Sequence, residues 1–319
     1  FMVPHAWLIS GQKGIGKATF AYRIARFLLN IEAEESVEEA TSLYLPNDNS
    51  SFNKVVQRSH PDLLVLDVDE EEGQSEITID EVRKLGSFLS QTHSISKWRV
   101  VVIDSIDQLN RNAANALLKV LEEPPRNTIL LLVSHSPGRL LPTIRSRCRH
   151  LALRPLSDDN VLKIFENQQE DIDYSEAEFA VRVSDGSPGL ALEIYERQGK
   201  KLYQQILDVM SSLPDINVEL LYSLGDKLSK KENIAEWRIV TYLIKFIIAK
   251  TIESAVHDDK DNISAEEVNL RKYLLNQYSV EQLVDIWEKL GKIILESEGL
   301  NIDKKMAIIE IFGIMQRAA

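Results

Sequence analysis

Five short apolar runs without alternation punctuate the first 155 residues: Ala6-Trp7-Leu8-Ile9, Leu63-Leu64-Val65-Leu66, Val100-Val101-Val102-Ile103, Ile129-Leu130-Leu131-Leu132-Val133 and His150-Leu151-Ala152-Leu153. Runs of this kind suit strands covered on both faces, as in a parallel sheet between helices. The segments between them carry helical spacing. Phe20, Ile24, Phe27 and Leu28 form one stripe, and Ile79, Val82, Leu85 and Leu89 another, which a capping box at Thr78 and Glu81 opens. A third helix, Ala113 to Leu121, stops at Pro124-Pro125. Five strands alternating with helices predict an α/β domain with a five-stranded parallel sheet.

Beyond Arg154-Pro155-Leu156 the strand signal ends. Residues 157 to about 198 read as three short helices, with Gly186-Ser187-Pro188-Gly189 as a turn between two of them. From about 200 onward the pattern is helical, with breaks expected near Pro214, Gly225 and the stretch His257 to Asp261. The expected division is an α/β domain over 1–154, a small helical domain over 155–200 and a larger all-α domain over 201–319. In the last of these, Trp237, Val240, Ile244, Ile247 and Ile248, then Leu283, Trp287, Leu290 and Ile294, form apolar stripes at helical spacing.

Charge narrows the choice of partner. Lys and Arg total 37 against 49 Asp and Glu, a formal net charge of −12 over 319 residues. Binding nucleic acid through phosphates alone needs a basic surface, so a direct DNA-binding module is disfavoured. The single cysteine, Cys148, excludes an internal disulfide and cysteine-based zinc modules. The six histidines have no metal-ligand spacing, so no metal site is expected. No run approaches 18 apolar residues, and the apolar start lacks a basic leader, so the expectation is a soluble cytoplasmic chain without a membrane contact. The acidic clusters at 32–39 and 67–76 read as solvated loops.

Candidate chemistry begins at Gly11-Gln12-Lys13-Gly14-Ile15-Gly16-Lys17-Ala18, between the first strand and the first helix. In that context Gly11, Gly14 and Gly16 free the backbone N–H groups to curl round phosphate oxygens, the helix N-terminus attracts anions, and Lys17 reaches the terminal phosphates. The residue after Lys17 should carry a hydroxyl for Mg²⁺, and here it is Ala18, while Thr19 points about 100° away round the helix. The third strand ends in Asp104, the acid that positions Mg²⁺ in such sites. Ser105 follows where hydrolysing members of the AAA+ class place a glutamate base. Loss of a general base costs about 10²–10⁴ in rate. Asp107 is assigned to the start of the next helix, and Ser134 to the polar end of the fourth strand.

Three arginines in five residues, Arg145, Arg147 and Arg149, precede the fifth strand, a cluster suited to an anionic partner. Cys148 lies among them, reading as a packed small residue beside arginines that favour its thiolate.

Ser146-Arg147-Cys148, downstream of Asn115-Ala116-Leu117-Leu118-Lys119-Val120-Leu121-Glu122-Glu123-Pro124-Pro125 and of Ser59-His60-Pro61-Asp62, resembles the clamp-loader AAA+ family of bacterial DNA polymerase III. The likeness covers residues 5–155 and continues loosely through Gly186 to Gly189 and Leu300 to Lys305. The degenerate glycine loop, Asp104-Ser105 and the intact Ser-Arg-Cys together resemble the family's non-hydrolysing member.

That resemblance implies an AAA+ core, a helical lid and a helical collar in a hetero-pentamer with gamma/tau-type motor and delta-type subunits. It implies that Arg147 acts in trans as an arginine finger on a neighbouring motor while a sliding clamp is loaded onto primed DNA, and that Lys119, Glu122 and Ser146 face a neighbouring subunit. Primed DNA is then met through the assembled complex. No cofactor is required under this reading, and Mg-ATP binding by this chain's own loop is in doubt.

Three departures from the family pattern accompany the likeness. Residues 31–58 lack the cysteines that hold zinc in many relatives, Leu190 and Ala191 stand where active motors have a sensor arginine, and the segment before the first strand is nearly absent. The rival reading is an active AAA+ ATPase that uses Thr19 and Asp107 as substitutes.

Overall fold

The computed structural model describes residues 4–30, 42–45, 50–68, 74, 76–91, 94–168, 171–256, 264–299 and 302–318. The acidic stretch 32–39, most of 67–76, His257 to Asp261, and Leu300 and Asn301 lie outside the described residues. Two compact units divide the chain: 1–157 with 186–190, and 158–185 with 191–319.

The first unit holds strands β1 (Ala6–Ser10), β2 (Leu63–Asp67), β3 (Arg99–Asp104), β4 (Thr128–Ser134) and β5 (Arg149–Ala152). All pair in parallel in the order β2-β3-β4-β1-β5. Helices α1 (Lys17–Asn30), α2 (Ser50–Val56), α3 (Ile79–Ser90), α4 (Arg111–Glu122) and α5 (Pro142–Arg145) fill the connections. Alternate strand residues point to opposite faces. Leu8, Val101, Ile103, Leu130 and Leu132 therefore pack with Val82, Leu85, Leu117 and Leu121 of α3 and α4. Ile9, Val100, Val102, Leu131 and Val133 meet Ala21, Ala25, Leu28 and Leu29 of α1 on the other face.

Two details differ from the sequence reading. Alanines, not Phe20, Ile24 and Phe27, turn most directly into the core, so α1 can lie close to the sheet while the larger side chains pack at its flanks. β5 is an edge strand whose Arg149, His150 and Ala152 are exposed, in place of a strand covered on both faces. A charged edge discourages pairing with another chain. The Thr78–Glu81 capping box is present, with the Glu81 carboxylate accepting from the Thr78 backbone N–H at 2.6 Å.

The second unit is helical. It contains α6 (Asp158–Gln168), α7 (Tyr174–Val183), α8 (Pro188–Glu196, whose first three residues belong to the first unit), α9 (Gly199–Met210) and α10 (Val218–Leu228). It continues with α11 (Ile234–Ser254), α12 (Ala265–Gln277), α13 (Val280–Gly299) and α14 (Lys304–Ala318). α11 is apolar on several sides and buried, with Trp237, Val240, Ile244 and Ile247 at its centre. Gly225, expected to break a helix, lies inside α10. A Cβ there would sit 3.0 Å from Lys305 Cγ and 3.3 Å from Ile308 Cγ2, so the missing side chain lets α14 approach. In α13 the buried row is Leu283, Ile286 and Leu290. Trp287 is partly exposed instead, and Lys245 Nζ stands 3.7 Å from the centre of its ring.

Candidate functional site

β1 delivers the chain to the glycine loop at the C-terminal edge of the sheet, where open α/β sheets bind ligands. Lys17 opens α1, yet its side chain turns back into the loop. Its Nζ donates to the carbonyls of Gly11 at 2.8 Å and Gln12 at 2.7 Å, and the residue is 3% exposed. Burial pulls its pKa down to about 8, against the attraction of Asp104 and Asp107.

Gly14 is covered by the 186–190 segment of the same unit. Gly189 N–H donates to Gly14 O at 2.9 Å, and Ser187 Oγ to Lys13 O at 2.9 Å. With φ of +81° and Ser187 Oγ 2.5 Å from where its Cβ would stand, Gly14 tolerates no side chain. Gly16 also has positive φ.

The ends of β2 and β3 bring two carboxylates together, because Asp67 is the register partner of Asp104. Arg58 pairs with Asp67 at 2.6 Å. Burial, then the charge of Asp67, raises the Asp104 carboxyl above its ordinary range, while Lys17 and Arg58 oppose the shift. Neither Arg58 nor Asp67 carried a motif that singled it out, since the loop holding Arg58 and the strand register are products of folding.

Asp107 does not start the next helix. Asn110 does, accepting from Ala113 N–H at 2.9 Å. The Asp107 carboxylate instead takes four donors: Ser105 Oγ at 3.1 Å, Ser134 Oγ at 2.9 Å, His135 N–H at 2.5 Å and Ser136 N–H at 3.2 Å. It ties the end of β3 to the end of β4, and Ser134 is part of that tie. The Asp107 carboxylate is thus engaged by four donors of its own chain, and Thr19 is exposed. Ala18 offers no hydroxyl, so this loop lacks the donor set that suits a Mg-nucleotide.

The arginine segment stands on the turn from α5 into β5. Arg147 Nη1 donates to Thr143 O at 2.9 Å and Nη2 to Glu122 Oε1 at 2.7 Å. Ser146 Oγ bonds the same Thr143 carbonyl at 3.2 Å. Glu122 closes α4 and exposed Lys119 lies one turn back on the same face, so Arg147, Glu122 and Lys119 occupy one neighbourhood. Cys148 packs against the core, and burial pushes its thiol up to about 11, overriding the expected effect of the arginines. Its labelling by Ellman's reagent at pH 8 is expected to run roughly 10²-fold slower than that of free cysteine in the native state and to recover in urea.

Residues 2–157 match the family model described as DNA polymerase III, delta subunit. That match covers just under half of the chain, the strands and helices of the first unit. Similar proteins include DNA polymerase III subunit delta' of Pseudomonas aeruginosa, 40% identical over 144 residues, which are 45% of this chain and 41% of that protein. The same-named subunit of Escherichia coli is 31% identical over 194 residues, 60% of this chain and 54% of that one. DNA polymerase III subunit gamma of Buchnera aphidicola (Acyrthosiphon pisum) is 29% identical over 241 residues, 72% and 62%. The match to these relatives thus spans between about two-fifths and three-fifths of their length. A Thermotoga maritima gamma-subunit-related structure aligns over 99% of this chain and 95% of its own at 18% identity and a TM-score of 0.42. The clamp-loader resemblance carried by the motifs of residues 5–155 and the delta-family match fall on the same sheet and loops.

Proposed function

We propose that this chain is a non-hydrolysing, delta-prime-type subunit of a DNA polymerase III clamp loader. In this reading it supplies Arg147 in trans to a gamma/tau-type motor beside it, while the assembly places a sliding clamp on primed DNA. The supporting observation is a contrast within one unit. Lys17 of the chain's own glycine loop, and Asp107 beside it, are bonded to the chain itself, whereas Arg147 stands on a surface turn with N–H groups to spare. An arginine offered to a phosphate in a low-dielectric junction stabilises charge that develops during phosphoryl transfer.

Partner surfaces fit the same reading. Val280, Val284, Trp287 and Leu295 follow helical spacing along one exposed side of α13 and offer a face to a neighbouring subunit of the hetero-pentamer. The 1–154, 155–200 and 201–319 segments serve as core, lid and collar. DNA is met through the assembly, in keeping with the −12 charge. Among the described residues no helix is long and apolar enough to cross a membrane.

The test is calorimetric titration of Mg-ATP into the isolated protein, followed by a turnover assay. Turnover is expected to be absent, and Mg-ATP to bind weakly or not at all. Turnover at the rate of a motor subunit would replace this reading with that of an active AAA+ ATPase.

A further inference from the structure

We infer that Glu122 is the positioning residue for Arg147, holding the guanidinium in the orientation from which it reaches an anion on a neighbouring subunit. The inference rests on the arginine-finger reading and adds a second residue to it.

An arginine on a surface turn has a long stem and many rotamers, and an unrestrained one would lose that freedom only on meeting its target. Here the side chain is fixed from two directions by different elements. The carbonyl of Thr143 in α5 takes one Nη1–H, and the carboxylate of Glu122 at the end of α4 takes one Nη2–H. A guanidinium has five N–H donors, so two engaged leave three for a phosphate. The side chain of Arg147 is 34% exposed, which keeps that remaining edge within reach of a partner.

The pair is poorly suited to supporting the fold. Glu122 is 50% exposed, and an ion pair this open to water adds little to folding stability. α4 is already anchored by Ala113, Leu117 and Leu121, and α5 by Ile144, all in the core. The contact directs a side chain that the surrounding packing leaves unfixed. Glu122 also carries a negative charge toward a site meant for an anion, so its charge works against the phosphate while its oxygen works for the arginine. That opposition separates the two effects experimentally, because glutamine keeps an accepting oxygen and loses the charge.

The experiment uses the complete complex reconstituted with motor and delta-type subunits, clamp and primed DNA, measuring kcat and KM for ATP. Glu122→Ala is expected to lower kcat about 10- to 10²-fold with KM changed less than twofold, up to the scale of a misplaced catalytic group. Glu122→Gln is expected to recover most of the loss. In an Arg147→Ala background, Glu122→Ala is expected to add nothing, because the group it positions is gone. Thermal unfolding of each variant subunit is expected to match the parent. Unchanged or faster turnover for Glu122→Ala overturns the inference, since the carboxylate would then restrain the arginine or be idle. An equal loss in both backgrounds also overturns it, and assigns Glu122 to the subunit interface by itself. If Arg147→Ala alone leaves turnover unchanged, the finger reading fails first and this inference falls with it.

Discussion

Arg147→Ala is expected to lower ATP turnover of the reconstituted complex by about 10³-fold or more while assembly survives. An arginine finger supplied in trans is worth about 10³–10⁵ in rate, because it adds transition-state charge stabilisation that the motor's metal ion and loop lysine do not supply by themselves. Folding should hardly register the change. The side chain is bonded at the surface, and losing an exposed pair with Glu122 costs about 0–1 kcal/mol. Lysine is not expected to rescue it. An ammonium has no planar fork, so it cannot hold the Thr143 carbonyl and the Glu122 carboxylate together and still present donors in a fixed direction. The check is steady-state turnover, with size-exclusion chromatography to show that the variant still enters the complex. Wild-type turnover from a fully assembled Arg147→Ala complex would remove the finger.

Glu267→Ala is expected to cost the second unit about 3–5 kcal/mol of stability, the scale of breaking a buried pair on one side. Glu267 is fully buried in the first turn of α12, where its N–H donates to Ser264 Oγ at 3.2 Å. Its carboxylate accepts from Arg271 Nη2 at 2.6 Å and from Arg182 Nη1 of α7 at 3.2 and 3.4 Å. Arg271 is itself buried, and that burial lowers its pKa. Removing the acid takes one buried charge partner from two guanidiniums, which costs more than the pair contributes. Urea unfolding followed by helical circular dichroism measures the loss. A combined Arg182→Met, Glu267→Leu, Arg271→Met variant should recover much of it, because both arginine charges leave with the acid. A loss below about 1 kcal/mol in the single variant would show that water reaches the arginines.

The first four strands were legible because each is a short apolar run, and the register that pairs Asp67 with Asp104 was not, because no single strand contains it. Thr78 and Glu81 announced their helix, since a capping box is local chemistry. Asp107 misled because its partners, Ser134, His135 and Ser136, arrive from another strand 27 to 29 residues away. Gly225 misled because a glycine that ends a helix and one that admits a neighbouring helix read alike in one dimension. At the candidate site, Lys17, Asp104 and Arg147 were singled out by motif. Lys17's return to its own loop, and Glu122's bond to Arg147, depend on distances that spacing does not encode.

The return of residues 186–190 to the first unit has a consequence for dissecting the molecule. The family match ends at residue 157, but the physical unit does not. A fragment cut there would lose the Gly186 carbonyl that accepts from Leu156 N–H, and the donors from Ser187 and Gly189 to Lys13 and Gly14. Its glycine loop would be bare on one side, with backbone acceptors turned to solvent. Nucleotide affinity measured on such a fragment would describe a surface that the intact polypeptide keeps covered. A fragment carried through residue 190 retains the cover, at the cost of including the 158–185 excursion.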